Sequence, residues 1–464
     1  MAASKSRVPY GWPFQRNPEV YRRPSSITST SKQRYFSILH NHSISIFTYD
    51  DDSDAFLPLY NRTFNLMKNI DGIRWSPFGS SLLCVKGNHL FVLLTQPSFQ
   101  EFKFSVDGQL SAPEFSAKEN YITVMYWLSP TQELQVWEAK TGKIMKSFGN
   151  AVPQEFCSAR PLDYIKWEYH DNYFAALVGS NRMVTIYETK TFSRVKHLMF
   201  KQVREFGWSP SASVLALSGD SYMKIVDICS GKKLYGHSWE GVDDYKLLWQ
   251  SDGDYLACIC TGFNYKKIFL ISLKSGKAGF ISPHHDYIDL AWECNGKQFA
   301  VSRGADNAGQ TTVTFYTMNE DKNYLRQRTK SVSNMIAHFL YWSPNGNYMV
   351  MQGPLNGSGE LYFYDVIKHQ QLAFVHFIAR NLQWDASGRF FLTRATRKNC
   401  DEVVRIWSSH GEKLIDVGPF DYHMCWSNKV SLVAESAKYD DYTNESSSIG
   451  ICSGMVKVSL ERDR

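Results

Sequence analysis

The chain has 464 residues, 43% of them hydrophobic and 15% aromatic, so it can bury a large core. Its formal net charge of +6 is too small for the whole chain to be a general nucleic-acid binder. The sequence has no apolar run of the roughly 18 residues that a membrane-spanning helix needs, and no apolar signal-peptide core at its start. Nine cysteines without a Cys-x-x-Cys pair indicate reduced, buried thiols. We therefore expect a cytoplasmic protein with no membrane partner.

Residues 1–33 differ in composition from the rest of the chain. They carry six basic residues against the single acid Glu19, together with four prolines and a Ser/Thr cluster. Such a segment cannot bury enough apolar surface to order itself, so we predict a flexible basic arm. It is either a solvated leader or an arm that orders on RNA or on a partner. Its candidate phosphate contacts are Arg16, Arg22 and Arg23.

From residue 34 onward, one unit repeats: a short apolar stretch ending in Trp, then a turn, then a second apolar stretch. Copies such as IRWSPFGSSLLCV and LYWSPNGNYMVM show the pattern. We call the last residue of each first stretch its anchor, and the spacing between anchors runs from 40 to 52 residues. The anchors are Trp75, Phe115, Trp167, Trp208, Trp249, Trp292, Trp342, Trp384 and Trp426. A period of about 40–45 residues is typical of a four-stranded propeller blade.

The repeat predicts an all-β fold, a single nine-bladed WD-type β-propeller formed by residues 34–464. Gly, Pro, Asn and Asp follow the anchors, as a hairpin turn requires, and the next strand is nearly all apolar because it lies between neighbouring blades. We expect residues 34–50 to pair with strands that follow Trp426 and so close the ring. The anchor side chains are predicted to pack the blades together and not to form a ligand platform.

The sequence offers no convincing catalytic, cofactor or metal site. The segment Gly236–Glu240 lacks the final glycine of a nucleophile elbow. His284, His285 and Asp286 are adjacent, but neighbouring strand residues point to opposite faces and no second ligand pair is identifiable. No glycine-rich phosphate loop occurs. We therefore expect a protein that is not an enzyme, with no cofactor, metal or small-molecule substrate.

Basic residues cluster on several predicted loops. The strongest cluster is Arg394, Arg397 and Lys398, between strands of the Trp384 copy. Two others lie at Lys266–Lys267 and between Lys322 and Lys330. Such loops can meet the phosphates of ribosomal RNA through charge alone, although a solvated loop is an equally good interpretation of each.

The stretch from Tyr164 to Trp426 resembles the propeller of the B subunit of eukaryotic translation initiation factor 3. Order, spacing and sequence agree over roughly 260 residues. The segments that carry the resemblance are KLLWQSDGDYLACI (246–259), LAWECNGKQFAVSRG (290–304), YWSPNGNYMVMQG (341–353), LQWDASGRFFLT (382–393) and RIWSSHGEKL (405–414).

The resemblance implies a nine-bladed scaffold in the multisubunit factor that binds the small (40S) ribosomal subunit, next to that factor's a, g and i subunits. Two departures put some of these contacts in doubt. The RNA-recognition motif usual in that family is absent ahead of the propeller, and few residues follow Trp426 to form its C-terminal helix.

Two alternatives stay open. Initiation factor 2A, which acts in initiator tRNA delivery, has a related propeller, and LQVWEAKTGKIMKSF (134–148) would suit it equally well. The stretch between Trp249 and Trp292 favours the B subunit of factor 3. A generic WD-type adaptor is the third class, although the Trp-Asp and Gly-His dipeptides of ordinary WD repeats are largely missing.

Overall fold

A computed structural model describes the chain between Lys32 and Leu432, with gaps. All of the secondary structure that it describes is β-strand, and the described residues contain no helix. The ranges are 32–33, 35–40, 43–50, 55–63, 72–95, 100–128, 131–148, 165–178, 182–238, 242, 244–262, 265–281, 287–304, 310–318, 327–354, 359–379, 381–396, 402–417, 422–426 and 431–432. The predicted all-β class is confirmed.

The described strands form nine four-stranded antiparallel sheets and one two-stranded pair. In each four-stranded sheet the first strand ends at one of the nine anchors, so we name every sheet after its anchor. The anchor strands are Gly72–Trp75, Gln109–Phe115, Ile165–Trp167, Val203–Trp208, Asp244–Trp249, Tyr287–Trp292, Phe339–Trp342, Asn381–Trp384 and Tyr422–Trp426. The second strands, in the same order, are Ser81–Lys86, Tyr121–Leu128, Tyr173–Val178, Val214–Gly219, Tyr255–Gly262, Gln298–Gly304, Tyr348–Gln352, Phe390–Thr396 and Tyr35–His40.

The two remaining strands complete each sheet, and the last of them, the outer strand, lies at the sheet's free edge. The third strands are His89–Leu94, Thr131–Glu138, Met183–Glu188, Tyr222–Asp227, Tyr265–Ser272, Thr311–Thr317, Glu360–Asp365, Glu402–Ser408 and Ser43–Asp50. The outer strands are Gln100–Ser105, Ile144–Phe148, Arg194–Phe200, Lys233–Ser238, Ala278–Phe280, Gln327–Met335, Gln370–His376, Lys413–Val417 and Ala55–Thr63.

The Trp426 sheet joins the two ends of the described chain. Its anchor strand Tyr422–Trp426 pairs with Tyr35–His40, with Phe36 opposite Trp426. The sequence prediction placed this pairing after Trp426, whereas the pairing strand ends there. After Trp426 the structure describes only the short strand Ser431–Leu432, which pairs with Lys32–Gln33. The partner of the N-terminal segment is thus an anchor strand, because each sheet needs an anchor strand as its first strand.

The second strands are buried on both faces, which explains their apolar sequences. Every residue of Val214–Gly219 is buried, and so is every residue of Ser81–Lys86. The outer strands differ: Lys233–Ser238 is mostly exposed. Each sheet is therefore buried at its second strand and solvent-exposed at its outer strand, and its residues change from apolar to polar in the same direction.

The buried apolar residues that the structure describes form nine clusters, and each is shared by two sheets. Between the Trp208 and Trp249 sheets, for example, Met223 and Ile225 pack with Leu256 and Cys258. The remaining clusters join the other sheets that follow one another along the chain. Two more place the Trp426 sheet between the Trp384 and Trp75 sheets. Because each sheet packs on two neighbours, the described sheets form the repeating architecture of a β-propeller.

The turn after the anchor has the same backbone in most copies. The residue four positions after the anchor has positive φ in the Trp75, Trp249, Trp292, Trp342 and Trp384 sheets, where it is always glycine. In the Trp342 turn, the Gly346 amide donates to the Ser343 carbonyl at 2.9 Å. Glycine adopts this left-handed conformation at little cost, so these positions favour it. Glu119 and Asp171 adopt positive φ at the same position of their turns.

Candidate interaction surfaces

Six of the nine anchors have buried side chains. Trp75, Phe115, Trp208, Trp292, Trp342 and Trp384 are each less than a tenth exposed, Trp167 and Trp249 are half-buried, and the Trp426 side chain lies outside the described residues. Trp384, for example, packs against Phe391 with 4.9 Å between ring centroids. Burial of this kind supports a packing role and leaves these rings little surface for a ligand.

The indole N–H groups reach across to the preceding sheet. The indoles of Trp208, Trp249, Trp292 and Trp384 donate to the carbonyls of Lys166, Gly207, Leu248 and Tyr341, at 2.8 to 3.1 Å. Each of these carbonyls belongs to the residue just before the preceding sheet's anchor. The Trp342 indole instead donates to Gly346 within its own turn. An anchor therefore packs two sheets together and, in these four copies, also fixes their relative height.

A buried polar residue follows each anchor from Trp75 to Trp384. Ser76, Ser116, Ser343 and Asp385 are at most 1% exposed. Their side chains accept from the backbone across the turn: Ser343 Oγ accepts from the amide of Tyr348 at 2.9 Å, and Asp385 Oδ1 from that of Phe390 at 2.8 Å. Sequence analysis missed this role. The signal was present, since the residue after the anchor is Ser, Glu, Gln or Asp in every copy.

Asp171 links the Trp167 sheet to the Phe115 sheet at one such turn. It is 4% exposed and accepts hydrogen bonds from Ser116 Oγ at 2.6 Å, from the Lys118 amide at 3.0 Å and from Asn120 Nδ2 at 3.2 Å. These partners all belong to the turn of the preceding sheet. Burial raises the pKa of Asp171, and the hydrogen bonds from Ser116, Lys118 and Asn120 oppose that rise.

The strands have two chemically different ends. Because the sheets are antiparallel, the turns that follow the first and third strands lie at one edge, which we call the turn edge. The connections that follow the second and outer strands lie at the opposite edge, the loop edge. At the turn edge, side chains such as Asp171 and Asn345 tie neighbouring sheets together; Asn345 Nδ2 donates to the Ser387 carbonyl at 3.1 Å. This edge is consequently stiffened by its own polar residues.

The predicted phosphate contacts are only partly described. Arg394 lies inside the strand Phe390–Thr396 and not on a loop, and its side chain is 9% exposed. A guanidinium this buried has little surface to offer a phosphate. Arg397 and Lys398 fall in the connection before Glu402–Ser408, outside the described residues, as do Arg16, Arg22 and Arg23. Five of these six residues therefore lie outside the described part of the chain, and their contact with phosphate stays a prediction.

Lysine side chains within the strands are also held by neighbouring groups. Lys266, from one of the predicted basic clusters, is the second residue of the third strand of the Trp249 sheet, and its Nζ donates to the Ile288 carbonyl of the next sheet at 2.7 Å. In the anchor strands, Lys246 Nζ lies 2.8 Å from Asp289 Oδ1. These cations contribute to contacts between sheets, so their positive charge is only partly available to an outside anion.

No candidate metal centre is found in the part of the chain that the structure describes. His284, His285 and Asp286 lie outside it. Cys258 and Cys260 are buried free thiols with 3.6 Å between their sulfurs, whereas Cys229 is exposed, so the expectation that the cysteines are buried holds only in part. Among the described residues, no helix has the length and apolar character needed to cross a membrane.

Repeated four-stranded sheets, each packed on two neighbours and anchored at its first strand, define the class of β-propeller proteins. A crystal structure described as that of the eukaryotic initiation factor superposes with a TM-score of 0.71 and 15% identity, over 87% of this chain and 100% of that one. The likeness supports the fold. The family model for eukaryotic translation initiation factor eIF2A matches residues 237–420.

Sequence comparison with curated proteins points to one particular subunit. The B subunit of eukaryotic translation initiation factor 3 from Nicotiana tabacum is 25% identical over 385 residues, which are 74% of this chain and 52% of that protein. Its Drosophila erecta counterpart is 27% identical over 69% of this chain and 48% of its own length. The predicted resemblance is confirmed: the chain is similar in sequence to the B subunit of initiation factor 3. It spans about half the length of the curated relatives that it matches.

Proposed function

We propose that the chain is a nine-bladed propeller that acts as a non-catalytic scaffold in translation initiation. In this proposal it binds other components of initiation factor 3, with the a, g and i subunits as expected neighbours, and the 40S ribosomal subunit in the cytoplasm. The observation that carries the proposal is the match to the B subunit over about 70% of the chain. The cycle of contacts among nine sheets supports the ring.

The decisive experiment is affinity purification of the tagged chain from its native cells, followed by mass spectrometry. We expect initiation factor 3 subunits to co-purify in stable proportion and the complex to sediment with 40S subunits. A tagged Trp384→Ala variant, which should disturb the ring, serves as the control for contacts that need the folded propeller. Recovery of the folded chain without any factor 3 component would overturn the assignment.

A second candidate has its own support, since the family model that matches residues 237–420 is named for eIF2A. A chain of that type would act without the components of factor 3, in initiator tRNA delivery. The same purification separates the two candidates. A chain found on 40S fractions with initiator tRNA, and without factor 3 components, would favour the second candidate.

Residues 1–33 supply the proposed electrostatic contact with ribosomal RNA, and Arg397 and Lys398 are proposed to add to it. Each phosphate contact contributes about 0.7 to 0.9 to the slope of log affinity against log salt. Replacing Arg16, Arg22 and Arg23 by serine should therefore lower that slope for 40S binding by about two.

A matched control removes the same charge from the turn edge. Lys140, Lys190 and Lys274 are exposed in turns between third and outer strands. Their replacement by serine should leave the slope nearly unchanged, because the proposal places no phosphate contact there. Equal slopes for both triple variants would rule out a specific role for the arm.

A further inference from the structure

The outer strands are the free edges of the sheets, and one of them is chemically unlike the rest. A free strand edge presents unpaired N–H and C=O groups to other chains, and proteins commonly guard it with charged side chains. Among the nine described outer strands, Gln370–His376 (QQLAFVH) is the only one longer than three residues with no Lys, Arg, Asp or Glu. Gln100–Ser105, by contrast, carries Glu101 and Lys103.

The same sheet also concentrates exposed apolar side chains. Phe374 is 43% exposed, Ile378 51% and Ile367 66%. Phe374 lies within the outer strand, whereas Ile367 precedes the strand and Ile378 follows it. The Trp75 sheet, for comparison, exposes one large apolar side chain among its described residues, Phe102 at 37%. The Trp342 sheet thus exposes a large apolar side chain within its outer strand and one beyond each end of that strand.

The backbone of this strand is available for pairing. The Phe377 amide donates to the Gly359 carbonyl at 2.6 Å, on the side of the third strand Glu360–Asp365. In an antiparallel pair, successive residues direct their N–H and C=O groups to opposite sides. The corresponding groups of Phe374 and His376 therefore point away from the sheet, toward the free edge. The strand ends its sheet, and no described strand pairs with that edge.

The charged side chains near the strand indicate which kind of partner segment it would bind. Lys368, in the turn that leads into the strand, has a side chain 74% exposed; its Nζ lies 3.9 Å from Asp365 Oδ2, which is too far for a direct hydrogen bond and leaves most of the ammonium open to solvent. The carboxylates of the same sheet's third strand are buried, since Glu360 is 4% and Asp365 5% exposed. No exposed carboxylate occurs among the described residues from Phe339 to Ala379. The surface is therefore apolar with a positive end, which complements an apolar, acidic segment.

We propose that Gln370–His376 is a docking edge for an extended, acidic segment of a partner protein, which adds to the Trp342 sheet as a further strand. Main-chain hydrogen bonds would give affinity, and alternate apolar side chains would contact Phe374 and Ile378. Carboxylates of the segment would lie toward Lys368. The proposal does not depend on a role in initiation, because it rests on the exposure and pairing capacity of this strand.

The test uses a strand-length peptide that alternates valine and glutamate, and a valine–lysine peptide as the probe of charge preference. We expect the acidic peptide to bind the whole chain at least about tenfold more tightly than the basic one, and Phe374→Asp to weaken its binding by about tenfold or more. Phe102→Asp, on the guarded strand Gln100–Ser105, is the matched control and should bind like the unaltered chain.

Amide hydrogen exchange supplies a readout specific to strand addition. The amides of Phe374 and His376 should exchange more slowly when the acidic peptide is bound, because they gain strand hydrogen bonds. The proposal is overturned if Phe374→Asp binds the peptide normally, or if these amides are not slowed. It is also overturned if sedimentation shows that the edge is occupied by a second copy of the chain and that Phe374→Asp abolishes this dimer.

Discussion

The anchor strands and the outer strands belong to the same sheets, yet they do different work. Anchor strands carry buried indoles whose N–H groups bind the preceding sheet, as Trp384 does with the Tyr341 carbonyl. Outer strands form strand hydrogen bonds only within their own sheet, and some expose most of their residues, as Lys233–Ser238 does. The comparison teaches that stability should be concentrated on the anchor side, whereas the outer side is free to vary and to bind partners.

The largest expected effect is at an anchor. Trp384→Ala removes a buried indole from the cluster that joins the Trp342 and Trp384 sheets, and should lower the free energy of unfolding by about 3–5 kcal/mol. Trp384→Phe keeps most of the packing but loses the hydrogen bond to the Tyr341 carbonyl, so it should lower the free energy of unfolding by less. Urea titration of both variants checks this order. On the outer side, Phe102→Ala should change the free energy of unfolding by no more than about 0.5 kcal/mol. Equal losses for Trp384→Ala and Phe102→Ala would contradict the claim that stability is concentrated on the anchor side.

A smaller effect is expected at the turn edge. Asp171→Ala removes the acceptor for Ser116, Lys118 and Asn120, and it places alanine at a positive φ of 60°. We expect a loss of about 2 kcal/mol, since buried donors lose their partner. Asp171→Asn is the matched variant: asparagine tolerates this conformation and keeps an acceptor oxygen, so it should retain more stability. Equal thermal midpoints for the Ala and Asn variants would contradict a role for the acceptor.

The smallest effect concerns alkaline pH. Tyr222, in a third strand, donates its hydroxyl to the Lys201 carbonyl at 2.6 Å, and burial, followed by the charge of Asp220, raises its pKa to about 12. The phenol stays protonated in the fold after it ionises in the unfolded chain. The stability that the fold gains from this protonated phenol is complete below the ordinary tyrosine pKa of 10, and it is lost as pH rises toward about 12. Tyr222→Phe should flatten that part of the stability–pH curve, and an unchanged curve would exclude this residue as a cause.

The anchors and their strands could be predicted because their signal is local and repeated. An apolar stretch, a tryptophan and a turn residue recur together, and each described anchor ends the first strand of a sheet. The polar residue after the anchor repeats as well, but its acceptor role depends on a backbone amide across the turn, as Tyr348 shows for Ser343.

Contacts between sheets could not be predicted from the sequence. Which carbonyl an indole reaches depends on the relative height of two sheets, and no residue pattern records that height. The sequence predicts Arg394 on a loop between strands of the Trp384 sheet, whereas the register places it opposite Asn381 within that sheet. The outer strand Gln370–His376 was likewise missed, since a strand's position at a free edge is set by topology.

The Trp426 sheet has a consequence for how the molecule is made. Its second and third strands come early in the chain, and the strand that completes it, Tyr422–Trp426, comes near the end of the described residues. During synthesis the early hairpin must wait, with one edge open, until the ribosome has made and released the chain as far as Trp426. Such a high contact order predicts slow final closure and a period of exposure to misassembly. Nascent chains of this protein are therefore expected to need a chaperone most urgently just before this last anchor strand emerges.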